Sequence, residues 1–269
     1  MSHLLREHAP VSELNWQQID EEACERLAPS LGARRLVDFS GPQGWQHSAT
    51  NLGRVRPIAF AAADGNSRLV PRSRVVLPLA ELHADFNVSR AELRDGDRGA
   101  EDVDFADLDD AAAVIATAEN IAVFHGWKEA GIDGITASTP HPTIKAGKAI
   151  EDYPIRVAQA VELLLRSGVG GPYGLALGRD EYTKVIQSTE HGGYLLAEHL
   201  KRILDGPLVW APGVKGAVVV SLRGGDFLFE SGQDISVGYA SHDADTVNLY
   251  LEESFSFRVA TPEAAVAIG

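Results

Sequence analysis

A chain of 269 residues with a formal net charge of −14 is long enough to bury a core without staples, and its acidic balance excludes the basic footprint that nonspecific nucleic-acid binding requires. The single cysteine, Cys24, excludes an internal disulfide and suits a reducing cytoplasm. No apolar run reaches the roughly 18 residues of a membrane span, and the start lacks a hydrophobic segment followed by a small-residue cleavage site. Neither a transmembrane helix nor a signal peptide is expected.

In chain order, Ser12 is placed to cap a helix running to about Leu27, ended by Pro29. Trp16, Ile19, Ala23 and Leu27 fall on one face of it, and Cys24 is read as a small buried hydrophobe. Residues 54–79 carry Arg54, Arg56, Arg68, Arg72 and Arg74 between short apolar pieces around a turn at Asp64-Gly65-Asn66. This is a long hairpin with too little apolar surface to stand alone, so it needs a neighbouring subunit to pack against. Leu82 to Val88 is a strand. Asp95 to Asp110 holds eight acidic residues and one arginine, but Asp95-Gly96-Asp97 does not fit a calcium-loop frame. It reads as a solvated acidic loop, with no metal site.

Ala111 to Ala130 reads as a helix stopped by Gly131, with Val114, Ile115, Ala118, Ile121 and Ala122 on its apolar side. Residues 131–150 read as a loop, and Asp152 to Ser167 as a helix with Val157, Val161 and Leu164 inward. Gly168 to Gly174 is glycine-rich, but it follows a helix and opens a strand, the reverse of a dinucleotide loop. Arg179 to Gln187 and Tyr194 to Leu204 are helices separated by the polar loop Ser188 to Gly193. Ala217 to Leu222 is a buried strand. Gly224-Gly225 makes a tight turn into a strand with Phe227 and Phe229 on one face and Leu228 on the other. Ile235, Val237 and Tyr239 share one face of the next strand, and Thr246 to Val259 alternates as a long one. Helices and strands interleave without a repeating βαβ unit, so the class is α+β.

The chain offers no motif for catalysis. His191 and His199 are eight apart, too far for a helical zinc pair, and Glu198-His199 lacks the second histidine of a zincin. There is no Gly-x-Ser-x-Gly elbow, and Cys24 has no base partner in sequence. The expectation is a protein that is not an enzyme and carries no cofactor.

Five pieces do stand out: the opening helix, the turn Gly41-Pro42-Gln43-Gly44-Trp45, the turn Gly170-Gly171-Pro172-Tyr173, the turn Arg223-Gly224-Gly225-Asp226-Phe227, and the closing Phe255-Ser256-Phe257. In this order and spacing they resemble the encapsulin shell proteins of family 1, also known as the linocin-type bacteriocin family, over nearly the whole chain. That resemblance implies the fold of tailed-phage major capsid proteins, the Hong Kong 97 type. It implies a peripheral domain from 1–53, 80–131 and 223–269, an extended arm at 54–79 and an apical domain at 132–222. It further implies self-assembly through pentamers into a hollow icosahedral shell in the cytoplasm. The shell would enclose a dye-decolorising peroxidase or ferritin-like cargo, held by a C-terminal targeting peptide, in the service of peroxide defence or iron storage.

By the same resemblance, one wall of the cargo-peptide site is Leu27, Leu31, Arg34, Asp38 and Phe39. The other is Asp226, Phe227, Phe229 and Ile235. Ser188, Thr189, Glu190, His191, Gly192 and Gly193 would ring a fivefold pore that admits small substrates or iron, with a charge sensitive to pH near the histidine value of about 6.5. Some relatives carry a tryptophan after the strand matching Leu82 to Val88, where a flavin stacks. Here that stretch is Ser89-Arg90-Ala91-Glu92, so no flavin is expected. A phage capsid protein with the same fold is the alternative, and a protease or bacteriocin a more distant one.

Overall fold

The computed structural model describes residues 3–60, 69–145, 147, 152–189 and 193–269. Ser12 caps α1 (Glu13–Ser30), its hydroxyl accepting from the Asn15 amide at 3.2 Å, a contact worth about 1 kcal/mol. The helix does not stop at Pro29 but runs one residue past it. Proline costs only the amide that would reach Glu25, and that turn faces solvent. Cys24 is exposed rather than buried, because it lies about 100° round the helix from the buried Ala23.

Two sheets follow. The first has the order β1 (Asp38–Ser40), β8 (Phe227–Ser231), β10 (Thr246–Val259), β4 (Ala80–Ser89), with β9 (Ser236–His242) also paired to β10. The length of β10 lets it serve β4 along residues 246–255, β9 along 247–252 and β8 along 255–259. Its alternation buries Val247, Leu249, Leu251, Phe255 and Phe257. Each large side chain fully buried in this way contributes about 1.5–3 kcal/mol. α3 (Ala106–His125) packs on β4 and β10, and α1 packs on α3. The helix α2 (Arg90–Asp97) occupies the first part of the stretch read as an acidic loop, with Leu93 buried beneath it.

α3 ends at Gly126, five residues earlier than expected, because Gly126 takes φ +92°. Its buried stripe runs through Leu108, Ala112, Ile115, Glu119, Ala122 and Val123. Val114 and Ile121, expected inward, are 63% and 40% exposed. They are seven residues apart and form the neighbouring stripe. The stretch after it holds the short helix α4 (Ile135–Ser138).

The second sheet has the order β11 (Ala265–Ile268), β7 (Ala217–Ser221), β5 (Tyr173–Leu177), β6 (Leu208–Trp210). β5 and β7 are buried along their whole length under α5 (Tyr153–Arg166), α6 (Arg179–Gln187) and α7 (Leu196–Leu204). The last strand, β11, therefore returns to β7. Residues 265–268 pair with the sheet of the expected apical segment, not with the closing strands of 223–259.

The arm is β2 (Ala49–Pro57) paired with β3 (Arg72–Pro78), with a bulge between Asn51 and Arg54. The expected turn at Asp64-Gly65-Asn66, and Arg68, lie outside the described residues. The base of the arm is tied down by Glu230 on β8, which accepts from Thr50 Oγ1 at 2.7 Å and meets His47 Nε2 at 2.6 Å. Beyond that base Val55, Ile58, Phe60, Leu69, Val70 and Val76 are 44–62% exposed.

His125 bridges the two halves. Its Nε2 accepts from the Lys215 amide at 3.0 Å, so Nδ1 carries the hydrogen and donates to Thr136 Oγ1, also at 3.0 Å. Burial, with Lys215 adding to it, holds the imidazole below its usual pKa. The unfolded chain therefore binds the extra proton first, and stability falls as pH drops through about 6.5. His125→Gln keeps an acceptor and is expected to flatten this acid limb in unfolding temperature measured from pH 8 to pH 5. An acid limb parallel to that of the parent chain would contradict the assignment.

Candidate functional site

Of the residues expected to form a groove, Phe39 and Phe229 lie against Arg34, which also gathers three carboxylates. Asn120 on α3 fixes the stretch that carries it. Its Oδ1 accepts from the Ala33 amide at 2.8 Å, and its Nδ2 donates to the carbonyls of Ser30 at 2.8 Å and Pro212 at 3.1 Å. Arg34, in the short turn after α1, then reaches three carboxylates. Nε donates to Glu119 Oε2 at 2.6 Å, Nη1 to Asp234 Oδ1 at 2.6 Å and Nη2 to Glu253 Oε2 at 2.8 Å. Its guanidinium carbon lies 4.9 Å from the centre of the Phe39 ring and 5.6 Å from that of Phe229. Burial alone would lower the Arg34 pKa, but the three carboxylates outweigh it and hold the value above the usual one.

Phe39 is 36% exposed and stacks on the buried Phe229 at 5.3 Å, which stacks in turn on Phe255 at 4.8 Å. Leu31 and Ile235 are half-buried and pack on the same core cluster as Leu27. The Ile235 amide donates to Asp234 Oδ1 at 2.8 Å, so Ile235 is held beside the Arg34 cluster. Phe39, Leu31 and Ile235 thus keep accessible apolar surface, Phe39 directly against Arg34.

Others of the expected set are not presented. Leu27, Phe227 and Phe229 are buried core. Asp226 is 2% exposed and gripped by Arg223, with Nε to Oδ2 and Nη2 to Oδ1 both at 2.9 Å. Its carbonyl accepts from Ala260 and Thr261. Asp38 is exposed, but its Oδ2 accepts from the Gly225 amide at 2.7 Å. These two aspartates brace the turn in which Gly224 and Gly225 take φ +85° and +81°. The strong sequence signature at 223–227 is therefore explained by turn chemistry.

Of the expected pore loop, Glu190, His191 and Gly192 lie outside the described residues. The base of the loop is closed by a bridge between Thr189 and Leu195. Ser188 Oγ donates to the Lys184 carbonyl at 2.7 Å, and Gly193 takes φ +82°.

Sequence reasoning missed Asn120, Glu119, Asp234 and Glu253. Two of them left a signal. Glu253 falls on the period-two face of β10 between Leu251 and Phe255, and Glu119 falls four residues after Ile115 on the buried stripe of α3. A carboxylate on an apolar face calls for a buried partner, and Arg34 supplies it.

Comparison with known proteins gives a consistent answer. The family model described as "Encapsulating protein for peroxidase" matches residues 1–256. The type 1 encapsulin shell protein of Rhodospirillum rubrum is 43% identical over 270 residues, covering 100% of this chain and 96% of that protein. Among solved structures, the virus-like particle from Pyrococcus furiosus matches with TM-score 0.65 and 18% identity, over 94% of this chain and 99% of that one. The capsid of the native GTA particle matches with TM-score 0.55 and 15% identity, over 88% and 89%. The α+β fold expected from the sequence, that of Hong Kong 97-type capsid proteins, is the fold found. By the extent of the family match and the identity of its full-length relative, the chain belongs to the type 1 encapsulin shell proteins.

Proposed function

We propose that this chain is a non-enzymatic subunit that closes with copies of itself into a hollow shell around a cargo protein. The observation that carries the reading is the arm. Six large apolar side chains stand 44–62% exposed, Val55 and Val76 on a two-stranded sheet of its own and Ile58, Phe60, Leu69 and Val70 just past the ends of its strands. A two-stranded ribbon is marginal in water alone, so a neighbouring subunit must supply its other face. Copies related head to tail in this way close when the rotation returns on itself. The full-length likeness to a protein named as a shell component supports this over a phage capsid, for which the likeness is one of fold alone.

The cargo, a peroxidase or ferritin-like protein, is held by a short C-terminal segment in the groove around Arg34. Leu31, Phe39 and Ile235 receive its apolar anchors, and Asp38 and Asp234 stand at the rim. Asp226, Phe227 and Phe229 support this groove from beneath rather than touch the peptide. The loop Ser188–Gly193 lines the fivefold opening and tunes entry of small substrates or iron. The shell lies in the cytoplasm, a placement supported by the single cysteine, which leaves the chain without an internal disulfide.

Phe39→Ala tests the groove. Because Phe39 is partly exposed, the variant is expected to fold and assemble, while cargo capture falls about tenfold or more, as for loss of an aromatic anchor. Co-purified cargo per assembled shell is the readout. Unchanged loading in intact shells would remove Phe39 from the site.

A further inference from the structure

The cluster beneath the groove holds more negative than positive charge. Arg34 comes from the turn after α1, Glu119 from α3, Asp234 from the turn between β8 and β9, and Glu253 from β10. One guanidinium therefore faces three carboxylates. The side chains of Glu119 and Glu253 are 0% and 1% exposed, whereas that of Asp234 is 42% exposed and can be balanced by water. Each buried glutamate gives Arg34 one oxygen, Oε2. The other oxygen of each, Glu119 Oε1 and Glu253 Oε1, is buried and lacks a hydrogen-bond partner. Because Nε and Nη2 belong to the same guanidinium, the two carboxyl groups they bind are held side by side. Two neighbouring buried acceptors without a partner, in a cluster short of positive charge, require a donor. Among the described residues no group of three or more histidine, cysteine or acidic side chains is disposed to hold a metal ion. A proton meets the need with no added space. On β4, the residue paired with Glu253 is the apolar Leu82, which supplies no charge.

We propose that Glu119 and Glu253 share one proton in the folded chain, and that this proton pins α3 to β10 beneath Arg34 as a built-in pH-sensitive lock on the floor of the groove. With the proton in place the cluster carries a single net negative charge, borne at the exposed edge by Asp234. Without it, two carboxylates are forced together in the interior, α3 and β10 are pushed apart, and the seat of Arg34 under Phe39 loosens. Burial raises both glutamates above the usual carboxylate range, and for Glu253 the neighbouring Glu119 adds to the rise. The pair titrates as a unit. A group held protonated in the fold and ionised when unfolded stabilises the fold below its unfolded value, about 4.3, and that stability is lost as pH rises through the folded value. The lock is thus closed in acid and opens toward alkali.

Infrared spectroscopy of the assembled wild-type shell, with Glu253→Gln and Glu119→Gln beside it, tests this directly. At neutral pH the wild type is expected to show the carbonyl stretch of a protonated carboxylic acid, and either variant to lose it. A carboxamide supplies its own donor to the remaining carboxylate, so both variants are expected to fold. Unfolding temperature from pH 6 to pH 10 gives the second readout. The advantage of Glu253→Gln over wild type is expected to widen as pH rises. Absence of the acid band from wild type, its survival in both variants, or parallel pH profiles would each overturn the proposal. None of these readouts involves cargo, so their failure would leave the peptide-groove reading standing, and failure of that reading would leave the lock standing.

Discussion

Arg34→Met is expected to cost roughly 3–5 kcal/mol of folding stability, the range for removing one partner of a buried ion cluster. Methionine fills much of the same volume, so the loss is chiefly one of charge. Glu119 and Glu253 are left in the interior with no guanidinium, and the stack over Phe39 and Phe229 loses its cation. Denaturant unfolding of the purified chain is the measurement. Adding Glu119→Gln and Glu253→Gln to Arg34→Met is expected to recover a large part of the loss, because neutral amides remove the buried charges that the first substitution stranded. A single substitution that costs under about 0.5 kcal/mol would mean that water screens the cluster as it screens a surface pair.

Phe60→Asp combined with Val70→Asp is expected to abolish shell closure while leaving the subunit folded. Both side chains are more than half exposed, at 55% and 62%, and neither belongs to the core clusters of the chain. A carboxylate at each point costs nothing in the separate subunit, but in a contact with a neighbour it must be desolvated without a partner. Native mass measurement reads the outcome: shell-sized particles for the parent chain, and subunits or small oligomers with an unchanged unfolding profile for the variant. Shells of normal size from the double variant would show that these side chains are not at a contact between copies.

Much of this arrangement was legible in the residues because local chemistry dictated it. The alternation in Thr246 to Val259 could only bury one face of a strand, and Gly224-Gly225 could only be a turn. Ser12 before an amphipathic run could only start a helix. What could not be read was set by tertiary partners. Val114 and Ile121 are as apolar as Ile115, and only the direction from which the sheet meets α3 leaves them outside. β6 and β11 are short, and each is a strand because β5 or β7 offers it an edge. The aromatic and aliphatic residues expected to receive the peptide were visible in the sequence, but the bonds by which Asp226 and Asp38 also brace a turn were not. The ion cluster escaped because Arg34, Glu119, Asp234 and Glu253 lie up to 219 positions apart in the chain.

Electron microscopy of the purified full-length chain at neutral pH tests the central claim most directly. Uniform hollow particles, each built from many copies of this one polypeptide, are the predicted result. A fully folded chain that stays monomeric, or stops at a small open oligomer, would contradict it.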